Sequence, residues 1–125
     1  MRILIADDHE VIRRTVIRIF ELRPEVECAE AENGREAVEK ALQLKPDLVV
    51  LDIRMPDLGG FEAAREIKRH LPSVRILFFS IHDTNEILQD AKAIGEGVIV
   101  KDQAATVLLK AVDALLRNET FFPVE

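Results

Sequence analysis

The chain lacks the features on which several classes of protein depend. It has one cysteine, Cys28, in 125 residues, so an intramolecular disulfide is impossible and we expect a cytoplasmic protein. The single cysteine also leaves no Cys/His set of the kind that zinc requires. No apolar run approaches the ~20 residues that cross a bilayer, and the first residues lack the apolar segment of a signal peptide. We therefore expect no membrane insertion.

Aromatic side chains and positive charge are also scarce. The sequence has no Trp and no Tyr, and its formal net charge is -6. Both properties argue against direct contact with nucleic acid, because such proteins usually combine a basic surface with aromatic stacking platforms. Hydrophobic residues make up 48% and charged residues 32%, a balance typical of a globular domain. The length predicts one domain.

Short apolar runs alternate with amphipathic segments, which is the rhythm of βαβ units. Continuously apolar runs indicate strands that are covered on both faces, whereas the run at 26–31 alternates and indicates an edge strand. The five predicted strands lie near 2–7, 26–31, 47–52, 74–80 and 97–101, and the helices between and after them include 10–22, 84–94 and 104–117. We predict a flavodoxin-like (βα)5 three-layer sandwich with a parallel sheet of order 2-1-3-4-5.

Polar residues follow four of these predicted strands. Asp7 and Asp8 follow the first, Asp52 ends the third, Ser80 the fourth and Lys101 the fifth. Because the carboxyl ends of parallel strands lie along one edge of the sheet, these groups should form a single site where such sheets bind ligands. Taken singly, an acid at a strand end is often a helix N-cap and a serine there is often a turn residue.

Three carboxylates at one edge repel one another by about 4 kcal/mol per pair at ~4 Å and an effective dielectric of ~20. A divalent cation would offset this repulsion, and oxygen ligands favour Mg²⁺ or Mn²⁺. Lys101 adds a positive charge, and the Ser80 hydroxyl can donate to a phosphoryl oxygen. The set suits phosphoryl transfer to a carboxylate.

Four stretches, in this order and at these spacings, carry a specific resemblance. They are Ile3–Glu10, Leu51–Gly60, Phe79–Asp83 and Val100–Asp102. The chain resembles the receiver domain of two-component response regulators over nearly its full length, and most closely the subfamily with a C-terminal helix-turn-helix DNA-binding domain.

The resemblance implies a role for each matching residue. Asp52 would be the phosphoacceptor, taking a phosphoryl group from a phosphohistidine on a sensor histidine kinase. Asp7 and Asp8 would hold Mg²⁺ together with Asp52 and the backbone carbonyl of Arg54. Ser80 and Lys101 would bind the phosphoryl group in the active state.

Variable positions of the family fall on Arg54 and His82, which would tune the lifetime of the acyl phosphate. Val98 occupies the position three residues before the lysine, where relatives often carry an aromatic switch residue. We therefore expect the coupling between this position and the hydroxyl to be weaker or differently built.

The resemblance also suggests an organisation and partners. We expect a receiver domain at 1–118 and a C-terminal tail or the start of an interdomain linker at 119–125. If the chain is a fragment, an output DNA-binding domain follows it, and phosphorylation would strengthen a homodimer. The Phe121-Phe122 pair would then belong to a linker, a docking tail or a disordered end.

Other interpretations stay open at this point. A dehalogenase-type phosphatase would need an acid two residues after Asp52, where the chain has Arg54. A flavin or nucleotide module would need a Gly-rich phosphate loop after the first strand, and a receiver that no longer responds to phosphate is compatible with Val98. Arg13, Arg14 and Arg18 form either a solvated face of the first helix or a partner contact, and His9 is expected to be a residue of the helix start.

Overall fold

A computed structural model describes residues 1–82 and 84–123, where five strands alternate with five helices. Asp83, part of one matching stretch, and residues 124–125 of the expected tail lie outside the described residues. The strands are β1 Arg2–Ala6, β2 Glu27–Ala31, β3 Leu48–Asp52, β4 Arg75–Ser80 and β5 Gly97–Val100. The helices are α1 Glu10–Phe20, α2 Gly34–Leu44, α3 Gly60–His70, α4 Asn85–Ile94 and α5 Ala104–Leu116.

All the strand pairs are parallel, and the sheet order is β2-β1-β3-β4-β5. This confirms the predicted fold, including the place of the alternating strand β2 at an edge. All five residues of β3 are buried, as expected of a central strand covered by helices on both faces.

Two apolar layers separate the sheet from its helices. Leu4, Val49 and Phe78 belong to one layer, named the α3/α4 layer below, which contains the buried faces of α3, α4 and also α2. Ile5, Val50 and Phe79 belong to the other layer, which contains the buried faces of α1 and α5. Neighbouring strand residues alternate between the layers because side chains alternate across a strand.

The predicted element bounds given above agree with the structure to within one residue except at the end of α1, and the end of β5 bears on the site. α1 ends at Phe20 rather than at 22, because the N–H groups of Leu22 and Arg23 donate to carbonyls three residues back and tighten the chain into a turn. Strand β5 ends at Val100, and Lys101 begins a short 3₁₀ turn that leads into α5. Lys101 therefore stands just past its strand and is free of the sheet's hydrogen-bond ladder.

The chain after α5 folds back along β5. The N–H of Phe121 donates to the Glu96 carbonyl at 2.9 Å, and the N–H of Val98 donates to the Phe121 carbonyl at 2.9 Å. Phe121 and Phe122 are half-buried, and Phe122 packs against the α3/α4 layer. These two aromatic residues thus cover the outer edge of β5.

Among the described helices, none combines the length and the apolar character needed to span a bilayer.

Candidate functional site

The polar residues at the strand ends converge at one edge of the sheet. The Lys101 Nζ lies 2.9 Å from Asp7 Oδ2 and 3.3 Å from Asp52 Oδ1. Ligand atoms of Asp7, Asp8, His9 and Asp52 all lie within 4.8 Å of one another. The structure therefore places all three carboxylates and the ammonium in one cluster.

A cleft of about 320 Å³ opens above this cluster. The residues that line it include Asp8, Asp52, Ser80, His82 and Lys101. Arg54 lines it as well. A small anion could enter this cleft and contact the Asp52 carboxylate and the Lys101 ammonium together.

Asp7 is the most deeply buried member of the cluster, with none of its surface exposed. Its Oδ1 accepts a hydrogen bond from the His9 N–H at 2.9 Å. Its Oδ2 forms an ion pair with the Lys101 ammonium at 2.9 Å but accepts no hydrogen bond from the described residues. A buried carboxylate oxygen without a donor is an unsatisfied ligand.

Asp8 and His9 are the exposed members. The His9 Nδ1 lies 3.1 Å from Oδ1 of both Asp7 and Asp8. His9 stands at the start of α1, as expected, but its side chain makes no capping hydrogen bond. The imidazole lies beside the Asp7 and Asp8 carboxylates instead. The sequence analysis had not placed His9 in the site.

Asp52 is 4% exposed, and its carboxylate shares the Lys101 ammonium with Asp7. Burial raises the pKa of Asp52 to about 6, the Asp7 carboxylate adds to the rise, and Lys101 opposes it. The Arg54 N–H lies 3.4 Å from Asp52 Oδ1, so it contributes only a weak hydrogen bond. The ionised carboxylate is thus held in a setting that disfavours its charge.

Ser80 is buried, and its hydroxyl is engaged by the loop that follows β4. The Ser80 Oγ donates to the His82 carbonyl at 2.6 Å and accepts from the His82 N–H at 3.2 Å. The hydroxyl therefore holds residues 80–82 in this conformation.

Gly60 brings α3 against the site strand. Its N–H donates to the Ile53 carbonyl at 2.8 Å, and a Cβ at this position would lie 2.2 Å from the Asp52 carbonyl oxygen. Only glycine permits this close approach. The loop between β3 and α3, which carries Arg54, is fixed by it.

Val98 lies outside the cleft. It is fully buried in the α3/α4 layer beside Phe78, and it does not belong to the cleft walls. The side chain at this position thus fills core space and has no polar group to present to the site.

Arg13 is the residue whose environment the sequence analysis predicted wrongly. We expected it on a solvated or partner-binding face of α1, but it is 6% exposed. Its Nη1 donates to the Asp7 carbonyl at 2.6 Å, and its Nε donates to Glu30 Oε1 at 3.0 Å. Arg14 and Arg18 are exposed, as expected.

The donor set suits a hard divalent cation. Three carboxylates supply oxygen atoms within a few ångströms of one another, and Mg²⁺ is usually held by a few carboxylates and completes its octahedron with water or substrate oxygens. The unsatisfied Oδ2 of Asp7 and the mutual repulsion of the carboxylates are both relieved by such an ion. The residues present therefore fit a Mg²⁺ site.

The comparison with protein families is decisive at this point. The model of the response regulator receiver domain matches residues 3–113. The chain belongs to the response regulator receiver domain family. Receiver domains are phosphoacceptor signalling domains and are not enzymes in the ordinary sense.

The chain is similar to regulators of transcription from several bacteria. The transcriptional regulatory protein LnrK of Bacillus subtilis is 38% identical over 127 aligned positions, which cover 100% of this chain and 58% of LnrK. The transcriptional regulatory protein DegU of Brevibacillus brevis is 34% identical, with 97% of this chain and 52% of DegU covered. The chain thus spans about half the length of these relatives.

Solved structures give the same family. A two-component response regulator of the LuxR family from Aurantimonas sp. superposes with a TM-score of 0.90 at 32% identity, covering 96% of this chain and 87% of that one. The isolated REC domain of RcsB from Salmonella enterica serovar Typhimurium, in the presence of the phosphomimetic BeF3-, superposes with a TM-score of 0.89. The two sequences are 28% identical, and the match covers 98% of this chain and 93% of the REC domain chain.

Proposed function

We propose that this receiver domain accepts a phosphoryl group on Asp52 from a sensor histidine kinase and uses the modification to control an output surface. The observation that carries the proposal is the position of the Asp52 carboxylate. It is buried, shares the Lys101 ammonium with the Asp7 carboxylate and forms part of the wall of the cleft.

Asp52 is the best nucleophile of the three acids. Asp7 is fully buried and already accepts the His9 N–H, and it does not line the cleft. Asp8 is exposed and lacks the lysine contact that Asp52 has at 3.3 Å. A carboxylate whose burial disfavours its charge gains from forming a bond to phosphorus, since that bond removes the charge from the attacking oxygen.

The transfer is a substitution at phosphorus. An oxygen of Asp52 forms the new P–O bond, while the P–N bond of the phosphohistidine breaks and leaves its electron pair on the imidazole nitrogen. Lys101 stands beside the attacking carboxylate, where its ammonium can pair with a phosphoryl oxygen. The product is an acyl phosphate.

Asp7, Asp8 and Asp52 would hold Mg²⁺, together with the backbone carbonyl of Arg54. When bound, the ion would supply charge neutralisation for the phosphoryl oxygens. Lys101 would provide the matching charge from the other side of Asp52. Arg54 and His82 stand on the rim of the cleft, where their side chains can control how water reaches the acyl phosphate.

Ser80 links this chemistry to the loop before α4. Its hydroxyl now donates to the His82 carbonyl, and a phosphoryl oxygen on Asp52 would compete for the same proton. Transfer of this hydrogen bond would release the His82 carbonyl and change the loop that leads into α4. Because Val98 is buried and apolar, the change would pass through this loop rather than through a rotating aromatic side chain.

The relatives suggest what the surface controls. LnrK and DegU are named transcriptional regulatory proteins, and each is longer than this chain. We propose that the face formed by α4, β5 and α5 pairs with a second copy after phosphorylation, and that an output DNA-binding domain responds to this change.

Phosphate-affinity electrophoresis after incubation with acetyl phosphate and Mg²⁺ tests the proposal. We expect a retarded band for the wild type, no such band after chelation of the metal, and none for Asp52→Asn. Asp90→Asn, an exposed acid on α4, is the matched control and should be labelled like the wild type. A retarded band that persists in Asp52→Asn, or its absence from the wild type, would contradict the proposal.

A second experiment tests the switch. Addition of beryllofluoride and Mg²⁺ should shift the amide NMR signals of Ser80, His82 and the first turn of α4 in the wild type. In Ser80→Ala the ligand should still perturb the signal of Arg54 but should leave α4 unchanged. Equal shifts of α4 in both proteins would show that the hydroxyl does not transmit the change.

A further inference from the structure

We infer that Arg13 is a positioning residue for the metal-binding carboxylates, because its buried guanidinium fixes the main chain at Asp7, the first residue of the segment Asp7–His9 that carries two of them. The inference rests on the proposed function, since it concerns the proposed Mg²⁺ site.

The side chain of Arg13 holds the start of this segment. Its Nη1 donates to the Asp7 carbonyl at 2.6 Å in a buried setting. The backbone N–H of Arg13 donates to the His9 carbonyl at 3.1 Å, but this is the ordinary helical bond and does not depend on the side chain. The guanidinium therefore acts at Asp7, and Asp8 directly follows the residue that it fixes.

The guanidinium is itself anchored on the edge strand β2 and the loop after it. Its Nε donates to Glu30 Oε1 at 3.0 Å, and its Nη2 lies 3.8 Å from Glu32 Oε1. The Asp7 N–H donates to the Ala31 carbonyl at 3.1 Å. Asp7 is thus tied to the β2 side of the sheet twice, directly through its N–H and indirectly through Arg13.

The geometry requires an arginine. The rigid planar fork reaches a main-chain carbonyl with one nitrogen and a carboxylate with another, which the point charge of a lysine cannot match. The Arg13 side chain is 7% exposed, so the charge is screened mainly by the partners named above. The fork therefore relates Asp7 to β2 by fixed bond lengths and angles.

Positioning matters here because Mg²⁺ tolerates little deviation from octahedral geometry. Removal of a group that orients a metal ligand typically reduces metal affinity by about 10- to 100-fold. If Arg13 acted only by joining α1 to β2, its loss would lower stability without this specific effect on the metal.

The test is a Mg²⁺ titration followed by amide NMR signals, which needs no phosphorylation. We expect Arg13→Gln to raise the Mg²⁺ concentration at the midpoint by about tenfold or more. Arg14→Gln removes the same charge from the next residue of α1, where the side chain is exposed and pairs with Glu10, and should titrate within about twofold of the wild type. Arg13→Lys keeps the charge without the fork and should fall between the two.

Urea unfolding of the same proteins separates positioning from stability. A lower urea midpoint with an unchanged Mg²⁺ midpoint in Arg13→Gln would overturn the inference. If Arg13→Gln does not fold, Arg13→Lys decides, and an unchanged Mg²⁺ midpoint in that variant overturns it equally. A wild type that shows no titration contradicts the proposed function itself, whereas a wild type that titrates beside unaffected Arg13 variants contradicts this inference alone.

Discussion

Replacement of Asp52 by asparagine should stabilise the metal-free protein. Burial and the Asp7 carboxylate raise the pKa of Asp52 from 3.8 to about 6, so the folded protein binds this proton more tightly than the unfolded chain does. Protonation of Asp52 therefore favours folding at low pH, and this contribution is lost as the pH rises from about 4 through about 6. Asparagine keeps the shape of the protonated acid at every pH.

The expected gain follows from the shift of the pKa. One pKa unit corresponds to about 1.36 kcal/mol, so a shift of about two units gives a gain of about 3 kcal/mol above the folded-state pKa. The sign of the gain follows from the direction of the pKa shift. At about pH 5, which is about one unit below the folded-state pKa, most of the folded wild type is protonated at Asp52, and linkage reduces the gain to about half.

Urea unfolding in the presence of a chelator measures this gain. The chain has no Trp and no Tyr, so far-ultraviolet circular dichroism is the appropriate signal. Asp52→Asn should unfold at higher urea than the wild type at about pH 7.5, with a smaller difference at about pH 5. Asp90→Asn on the exposed face of α4 should lie within about 0.5 kcal/mol of the wild type. Equal or lower stability of Asp52→Asn at about pH 7.5 would refute the electrostatic reasoning.

Three further substitutions test other parts of the structure. Lys101→Met removes the ammonium from two buried carboxylates and should lower the free energy of unfolding in chelator by about 3 kcal/mol. Excess Mg²⁺ should reduce this loss, and an unchanged urea midpoint in chelator would contradict a stabilising role of the ion pair. Gly60→Ala places a Cβ against the Asp52 carbonyl and should lower the free energy of unfolding by about 2 kcal/mol. Gly59→Ala is the control, because its Cβ would lie 3.3 Å from its nearest neighbour, and it should lose less stability in the same assay. Phe122→Ala should cost about 1.5 kcal/mol, because a half-buried phenyl ring leaves the α3/α4 layer; unchanged thermal unfolding would show that this ring does not dock.

The convergence of the acids was predictable because it depends on few conditions. A parallel sheet with helical crossovers brings every strand's carboxyl end to one edge, so the position of Asp52 at the end of an apolar run already locates it. The same argument places Ser80 and Lys101, and the structure has both beside the cleft. Small errors in the predicted strand length do not change this conclusion. Lys101 contacts the acids even though β5 ends one residue earlier than predicted.

The conformation of the hydroxyl was not predictable in this way. Ser80 could have faced Asp52 or the loop, and strand order does not decide between them. The choice depends on the path of residues 80–82, which turns the His82 carbonyl towards Oγ at 2.6 Å. Such a bond depends on the detailed geometry of a short loop, for which the sequence has no periodic pattern.

Arg13 is the clearest case in which sequence patterns do not predict the environment of a side chain. Helical periodicity treats a charged residue as part of the exposed face, and this rule holds for Arg14 and Arg18. It fails for Arg13 because β2 is a half-buried edge strand that offers Glu30 to the helix above it, and because the Asp7 carbonyl needs a donor that the sheet does not provide. A buried charge is stable only where such partners meet it. The burial of Arg13 thus depends on Glu30 of β2 and on the Asp7 carbonyl at the end of β1. These partners meet the guanidinium only when β1 and β2 pair and α1 packs beside them.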